Sequence, residues 1–146
     1  MWSKTTEYAI RALVQVAVSN AAGRRPGFRE IAEEIDAPVQ FTAKILQSLS
    51  RGGLVSSVRG RGGGFFFADG VPELTLAEVI RVLEGEKYFT GCVIGLPHCS
   101  EDHPCPLHNE FARIRTDLVN LADRETVQGL ARKTAGGEGR LKRREV

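Results

Sequence analysis

The chain has 146 residues, 42% of them hydrophobic and 26% charged, and its formal net charge is +2. That length suits one domain, or a small domain with an attached arm, and the composition is that of an ordinary soluble globular protein. So small a net charge does not by itself point to nucleic acid, and the early apolar run from Tyr8 to Val18, interrupted by Arg11 and Gln15, is too short to span a bilayer.

In chain order, the first predicted element is a helix over about Ser3 to Asn20, because Ile10, Leu13, Val14 and Ala17 recur at the spacing of one helical face. Gly23 to Gly27, with Pro26, punctuates the chain, and a short second helix follows with Phe28, Ile31, Ala32 and Ile35 on its apolar side. Asp36-Ala37-Pro38 reads as a turn and a new start, with Asp36 or Ala37 as the cap and Pro38 in the first turn. The third helix is predicted over 38–50, with Phe41, Ile45, Leu46 and Leu49 inward and Gln40, Thr42, Ala43, Lys44 and Gln47 largely outward. Leu54 to Val58 and Phe65 to Ala68 are β-prone runs joined by Arg59-Gly60-Arg61-Gly62-Gly63-Gly64, which is a hairpin signal. Thr75 and Glu78 make a capping box for a fourth helix that Gly85 stops. Residues 86–106 are a loop rich in Cys, Pro, His and Gly. A long helix then starts near Pro106, and its Leu107, Phe111, Ile114, Leu118 and Leu121 form the seam that a helix offers to a second helix. From Thr134 the chain is Gly-rich and basic, and disorder is expected.

Two short helices joined by a tight turn and followed by a hairpin are the order of a winged helix-turn-helix. In that arrangement Gln40 can pair with adenine, Lys44 can reach guanine or phosphate, and Thr42 can bond or touch a thymine methyl. The same polar face would also suit a plain solvated helix. The hairpin tips the balance, because its loop carries two arginines among four glycines. Glycines allow close approach to phosphate, and Arg59 or Arg61 on such a tip can enter a narrow minor groove, with Ser56 or Ser57 on phosphates nearby. Further positive clusters lie at Arg24 and Arg25, at Lys44 and Arg51, and from Lys133 to Arg144.

All three cysteines, Cys92, Cys99 and Cys105, fall within fourteen positions. No targeting segment is visible, so a cytoplasmic location is expected, and there such a cluster favours metal or redox chemistry over a structural disulfide. The spacing matches neither zinc fingers nor ferredoxins, yet three soft thiolates on one irregular loop can converge on one cluster. Helix N–H groups beside Cys105 are expected to lower its pKa, and His108, one turn on, can face the same site. His98 and His103 read as solvated loop residues. A zinc site, a thiol–disulfide switch, or a small iron–sulfur carrier that ignores DNA stay open as alternatives. No nucleophile–base pair or paired carboxylates suggest an enzyme.

The opening Ser3-Lys-Thr-Thr-Glu-Tyr-Ala-Ile-Arg-Ala-Leu13, Ile31-Ala32, the block Gly53-Leu-Val-Ser-Ser-Val-Arg-Gly-Arg-Gly-Gly-Gly-Phe65, Thr75-Leu-Ala-Glu-Val-Ile and the three-cysteine loop together resemble the IscR/NsrR (Rrf-two) family of bacterial transcription regulators. The resemblance runs from residue 1 to about 130. It implies a mainly α fold with a small β-hairpin wing, a homodimer built on the long helix, and double-stranded operator DNA as partner, mostly with repression. It implies an iron–sulfur cluster, 2Fe–2S or 4Fe–4S, ligated by Cys92, Cys99 and Cys105 and sensing redox state, nitric oxide or iron–sulfur status. The fourth ligand is a histidine near the last cysteine in some members, which His108 matches. In others it is an acidic residue of the partner's first helix, which Glu7 matches. The resulting division is a winged helix-turn-helix over 1–85, a cluster-binding loop over 86–106, a dimerisation helix and C-terminal segment over 107–133, and a disordered basic tail over 134–146. Two features depart from the pattern. The six residues between Cys92 and Cys99 are not the five of the cluster-assembly regulators, and Ala43 stands where some members carry a glutamate that helps choose the DNA sequence.

Overall fold

The Ser3 hydroxyl accepts the Thr6 N–H and starts α1 (Lys4–Ala21). The computed structural model describes residues 1–142 and builds the rest of the core around this helix. Apolar side chains such as Ala9, Leu13, Val14 and Val16 are buried on successive positions rather than along one stripe. A helix apolar on all sides must be covered on all sides. Here α2 (Phe28–Glu34) and α3 (Val39–Arg51) cover one flank, α4 (Leu76–Glu84) another and α7 (Val127–Ala135) a third. Fully buried Leu13, Ile31, Ile35, Leu46, Leu49 and Ile80 form the centre, each contributing about 1.5–3 kcal/mol.

The turn between α2 and α3 differs in detail from expectation. Asp36 takes a left-handed φ of 53° and Pro38 is the N-cap, one step outside the helix. The wing consists of β1 (Ser56–Val58) and β2 (Gly64–Phe66), antiparallel, with Ser57 opposite Phe65. The ladder is shorter than predicted, and β2 also bonds along its other edge. Phe65 N–H donates to Pro26 O (2.8 Å) and Phe67 N–H to Asn20 Oδ1 (3.0 Å). The capping box at Thr75 and Glu78 is present, and Gly85 ends α4 with φ 85°.

A one-turn helix, α5 (Lys87–Thr90), precedes the cysteine loop. The last predicted helix is two. α6 (His108–Arg124) ends where Glu125 and Thr126 turn extended, and Thr126 caps α7 by accepting the Gly129 N–H. The break is set by pairing with the entry to α4, since Leu76 N–H donates to Glu125 O (3.0 Å) and Val127 N–H to Leu74 O (2.8 Å). Thr134 and Ala135, read as the start of the tail, belong to α7, and Leu141 packs against the core. The tail residues 143–146 lie outside the described residues. Among the described residues, no helix is long and apolar enough to cross a membrane.

Candidate functional site

Two candidate sites lie on this scaffold. The first is the face shared by α3 and the wing. Gln40, Lys44 and Gln47 are exposed on α3, and Ser57, Arg59 and Arg61 are exposed on the hairpin, with Ser56 half-buried. Among the described residues no ion pair engages Lys44, Arg51, Arg59 or Arg61. Thr42 is different and corrects the sequence reading. It is only 1% exposed, and its hydroxyl donates to Pro38 O at 2.9 Å. Thr42 sits three, four and seven residues before Ile45, Leu46 and Leu49, so it shares their inward face whatever its polarity. It cannot reach a base edge.

A cleft of about 580 Å³ separates the end of α3, at Gln47 and Arg51, from the wing at Ser57 and Arg59, with Phe28 and Phe65 below. The sequence places Gln47 outward and Arg51 in a positive cluster, but names neither among the candidate DNA contacts; the structure adds both to the lining of this cleft. The wing tip is shaped by Gly60 (φ 90°) and Gly62 (φ 76°). A side chain at Gly63 would meet Val58 O at 2.2 Å. The glycines therefore serve a tight turn that leaves Arg59 and Arg61 outermost.

The second site is the cysteine loop. The structure brings Cys92, Cys99 and Cys105 together, their sulfurs all within 4.8 Å of one another. Cys92 Sγ lies 3.6 Å from Cys105 Sγ, and the Cys105 N–H donates to Cys99 Sγ at 3.4 Å. His108 Nδ1 is 3.1 Å from Cys99 Sγ, so His108 borders the group. Glu7 lies outside it and pairs with Lys4 on α1 at 3.1 Å. His98 and His103 are exposed.

The electrostatics reverse one expectation. Burial pushes the Cys105 thiol up, and the Leu107 N–H at the start of α6 only partly offsets it. The acidic thiol is Cys92. Burial raises it too, but the N–H groups of Leu96 and Ile94 and the neighbouring thiols bring it down to about 7. Three soft sulfurs converging on one point, with an imidazole alongside, suit zinc or an iron–sulfur centre and not a hard cation. The residues present therefore fit such a group.

Side-chain contacts tie the loop to α6, and the α5 turn before it to α4. Arg115 of α6 donates to Gly91 O at 2.6 Å. Arg81 of α4 pairs with Glu86 (3.5 Å) and lies over the Phe89 ring. Glu84, at the end of α4, accepts from Thr6 Oγ1 (2.8 Å) and Ser3 N–H (3.3 Å) at the start of α1. Hydrogen bonds from Ser3 and Thr6 hold its carboxyl below the usual range.

The profile of the Rrf2 family, described as an iron-dependent transcriptional regulator, matches residues 2–133. The chain is 33% identical over 116 residues to the HTH-type transcriptional repressor NsrR of Streptomyces coelicolor, covering 80% of this chain and 73% of the repressor. It is 31% identical over 120 residues to the HTH-type transcriptional regulator IscR of Escherichia coli, covering 82% and 73% respectively. Among solved structures, that of CymR, the global cysteine regulator of B. subtilis, superposes with a TM-score of 0.72 at 24% identity, over 92% of this chain and 98% of that one, which shows the shared fold. The winged-helix architecture and the family match agree, and the chain belongs to the Rrf2 family of transcriptional regulators.

Proposed function

We propose that this regulator binds operator DNA as a homodimer through α3 and the wing, most simply as a repressor, and that an iron–sulfur cluster held by Cys92, Cys99, Cys105 and His108 sets its affinity. The observation that carries the reading is the convergence of three thiols, within 4.8 Å of one another, on a loop held to α6 by Arg115 and entered from α5, which Arg81 of α4 contacts. The repressor NsrR and the regulator IscR among its relatives support the same reading.

Bound there, a cluster would supply redox and ligand-exchange chemistry that responds to oxidants or nitric oxide. The protein's own part is positional. Cys92, with its pKa near 7, offers a thiolate at neutral pH, while buried Cys105 excludes water from the inner side. His108 is the fourth ligand this chain itself offers; Glu7 would have to come from a partner subunit. A change in how these side chains are held shifts Gly91 and Glu86, and with them Arg115 on α6 and Arg81 on α4. Glu84 carries a movement of α4 to α1, which packs on the reading helix. A coupling of ~1–3 kcal/mol along this route, about 5–150-fold in affinity, is enough for regulation.

The dimer rests on α6. Leu107 at its N-cap and Ile114 and Leu121 along it are exposed to 46%, 52% and 36%, with Phe111 and Leu118 half-buried between them. An apolar stripe of this period fits an equivalent helix of a second copy. On the DNA side, Gln40 and Lys44 face outward for the major groove, and Arg59 and Arg61 lead the wing toward the minor groove.

The test is anaerobic purification followed by absorption spectroscopy with iron and sulfide assays on one sample. Matching iron and sulfide with visible colour supports the cluster. Zinc in stoichiometric amount favours a second reading, because three cysteines and a histidine are also a closed zinc donor set. A metal-free, well-folded sample sinks both.

A further inference from the structure

We propose that Arg25, stacked on Phe66 of the wing, is a clamp for a DNA phosphate beyond the groove the wing enters, so that the operator contact extends along the wing's outer flank.

The placement comes from the hairpin's outer edge. The link between α1 and α2 runs beside β2 almost as a third strand, with Phe65 N–H on Pro26 O at 2.8 Å. Asn20 locks the two together. Its amide donates to Arg24 O (2.9 Å) and Phe65 O (3.2 Å), and its oxygen accepts from Phe67 N–H (3.0 Å). Gly64 permits the approach, since a side chain there would meet Arg25 O at 2.2 Å. Arg25 is thus fixed to the same rigid unit as Arg59 and Arg61.

Side-chain alternation does the rest. Phe65 and Phe67 turn inward and pack against the core, so Phe66 turns outward, away from the cleft facing α3. The Arg25 guanidinium lies 3.8 Å from the centre of the Phe66 ring. Stacking on the ring limits the rotamers of the side chain while leaving the edge of the guanidinium free to donate, which is the geometry a phosphate takes bidentately. Arg24 beside it is engaged by Glu30, whereas no carboxylate among the described residues pairs with Arg25. An exposed cation immobilised without a counter-charge, on the module that meets DNA, fits a polyanion. Nothing about Arg25 suits base readout, since it points away from the reading helix.

The proposal rests on the DNA-binding reading above. The test enriches duplexes from a random-sequence pool with wild-type protein, then measures affinity for one enriched duplex across salt concentration with wild type, Arg25→Ala and Arg25→Lys. Thermal unfolding of each variant checks the fold, which exposed Arg25 should not affect. Arg25→Ala should bind about 3–10-fold more weakly, with the slope of log affinity against log salt reduced by ~0.9, the loss of one phosphate contact. Arg25→Lys, which keeps the charge, should restore the slope. An unchanged affinity and slope in Arg25→Ala overturns the contact. So does weaker binding with an unchanged slope, which would mean that Arg25 only shapes the wing. Failure to enrich any duplex with wild-type protein overturns this proposal together with DNA binding itself.

Discussion

As a ligand of the proposed centre, Cys105 would meet two requirements: its sulfur would be buried enough to keep water from the site, and it would still have to give up its proton to a metal. Burial raises its thiol, while backbone N–H groups and the neighbouring thiols lower Cys92, 3.6 Å away, to about 7. We predict that Cys105→Ala abolishes visible absorption and bound iron in anaerobic preparations. Full colour in that variant would remove Cys105 from the ligand set. On the DNA side, Arg59→Ala should lower the salt slope by ~0.9 and weaken binding to an enriched duplex. A slope and affinity equal to wild type would place Arg59 off the DNA. At this scale the sequence was legible where chemistry alone decides, as with three thiols in fourteen positions. It misled where position decides. Thr42 is polar but stands on the buried face of α3, and Cys105 sits beside helix N–H groups whose effect burial outweighs.

At the scale of elements, periodicity carried α1, α3 and α4, and β-prone runs around a glycine-rich loop carried the wing, each within a few residues of its observed bounds. The break between α6 and α7 was not legible, because no glycine or proline marks it. It exists because the strand-like pair Thr75 and Thr126 bridges two distant segments. The fixing of the wing by Asn20 was equally hidden, since an asparagine near a helix end has many local uses. Gly64 gives a direct check on that arrangement. With φ 145° and Arg25 O 2.2 Å from where its Cβ would stand, Gly64→Ala should cost about 1–3 kcal/mol. An unchanged unfolding midpoint would mean that the wing is not seated on the α1–α2 link. Glu84 gives a pH-dependent check on the joint between α4 and α1. Its folded pKa lies below the ordinary value of 4.5, so its contribution to stability is fully present above that value and is lost as pH falls toward the folded pKa. Urea unfolding at a series of pH values should therefore show Glu84→Gln less stable than wild type near neutrality, with the gap closing below about pH 4.5. A gap that stays constant would mean that the carboxylate does not make this joint.

For the whole molecule, the exposed stripe on α6 sets the expected assembly. Ile114 is 52% exposed in the single chain, so Ile114→Glu should leave the fold intact yet turn a dimer into a monomer by light scattering, with operator affinity falling as the two reading helices separate. A variant that remains dimeric would move the interface elsewhere.

Finally, α1 is walled in on three flanks, by the reading helices, by α4 and by α7. The part that would touch DNA packs on α1 directly, and the part that would hold metal reaches it through α4, so the two share one partition. Random mutagenesis should reflect this. Changes at Leu13 or Val16 would remove colour and DNA binding together, whereas alleles that lose one and keep the other would map to rims such as Arg59 on one side and Cys92 on the other. For this protein, the genetics of separable defects would be a genetics of its surface.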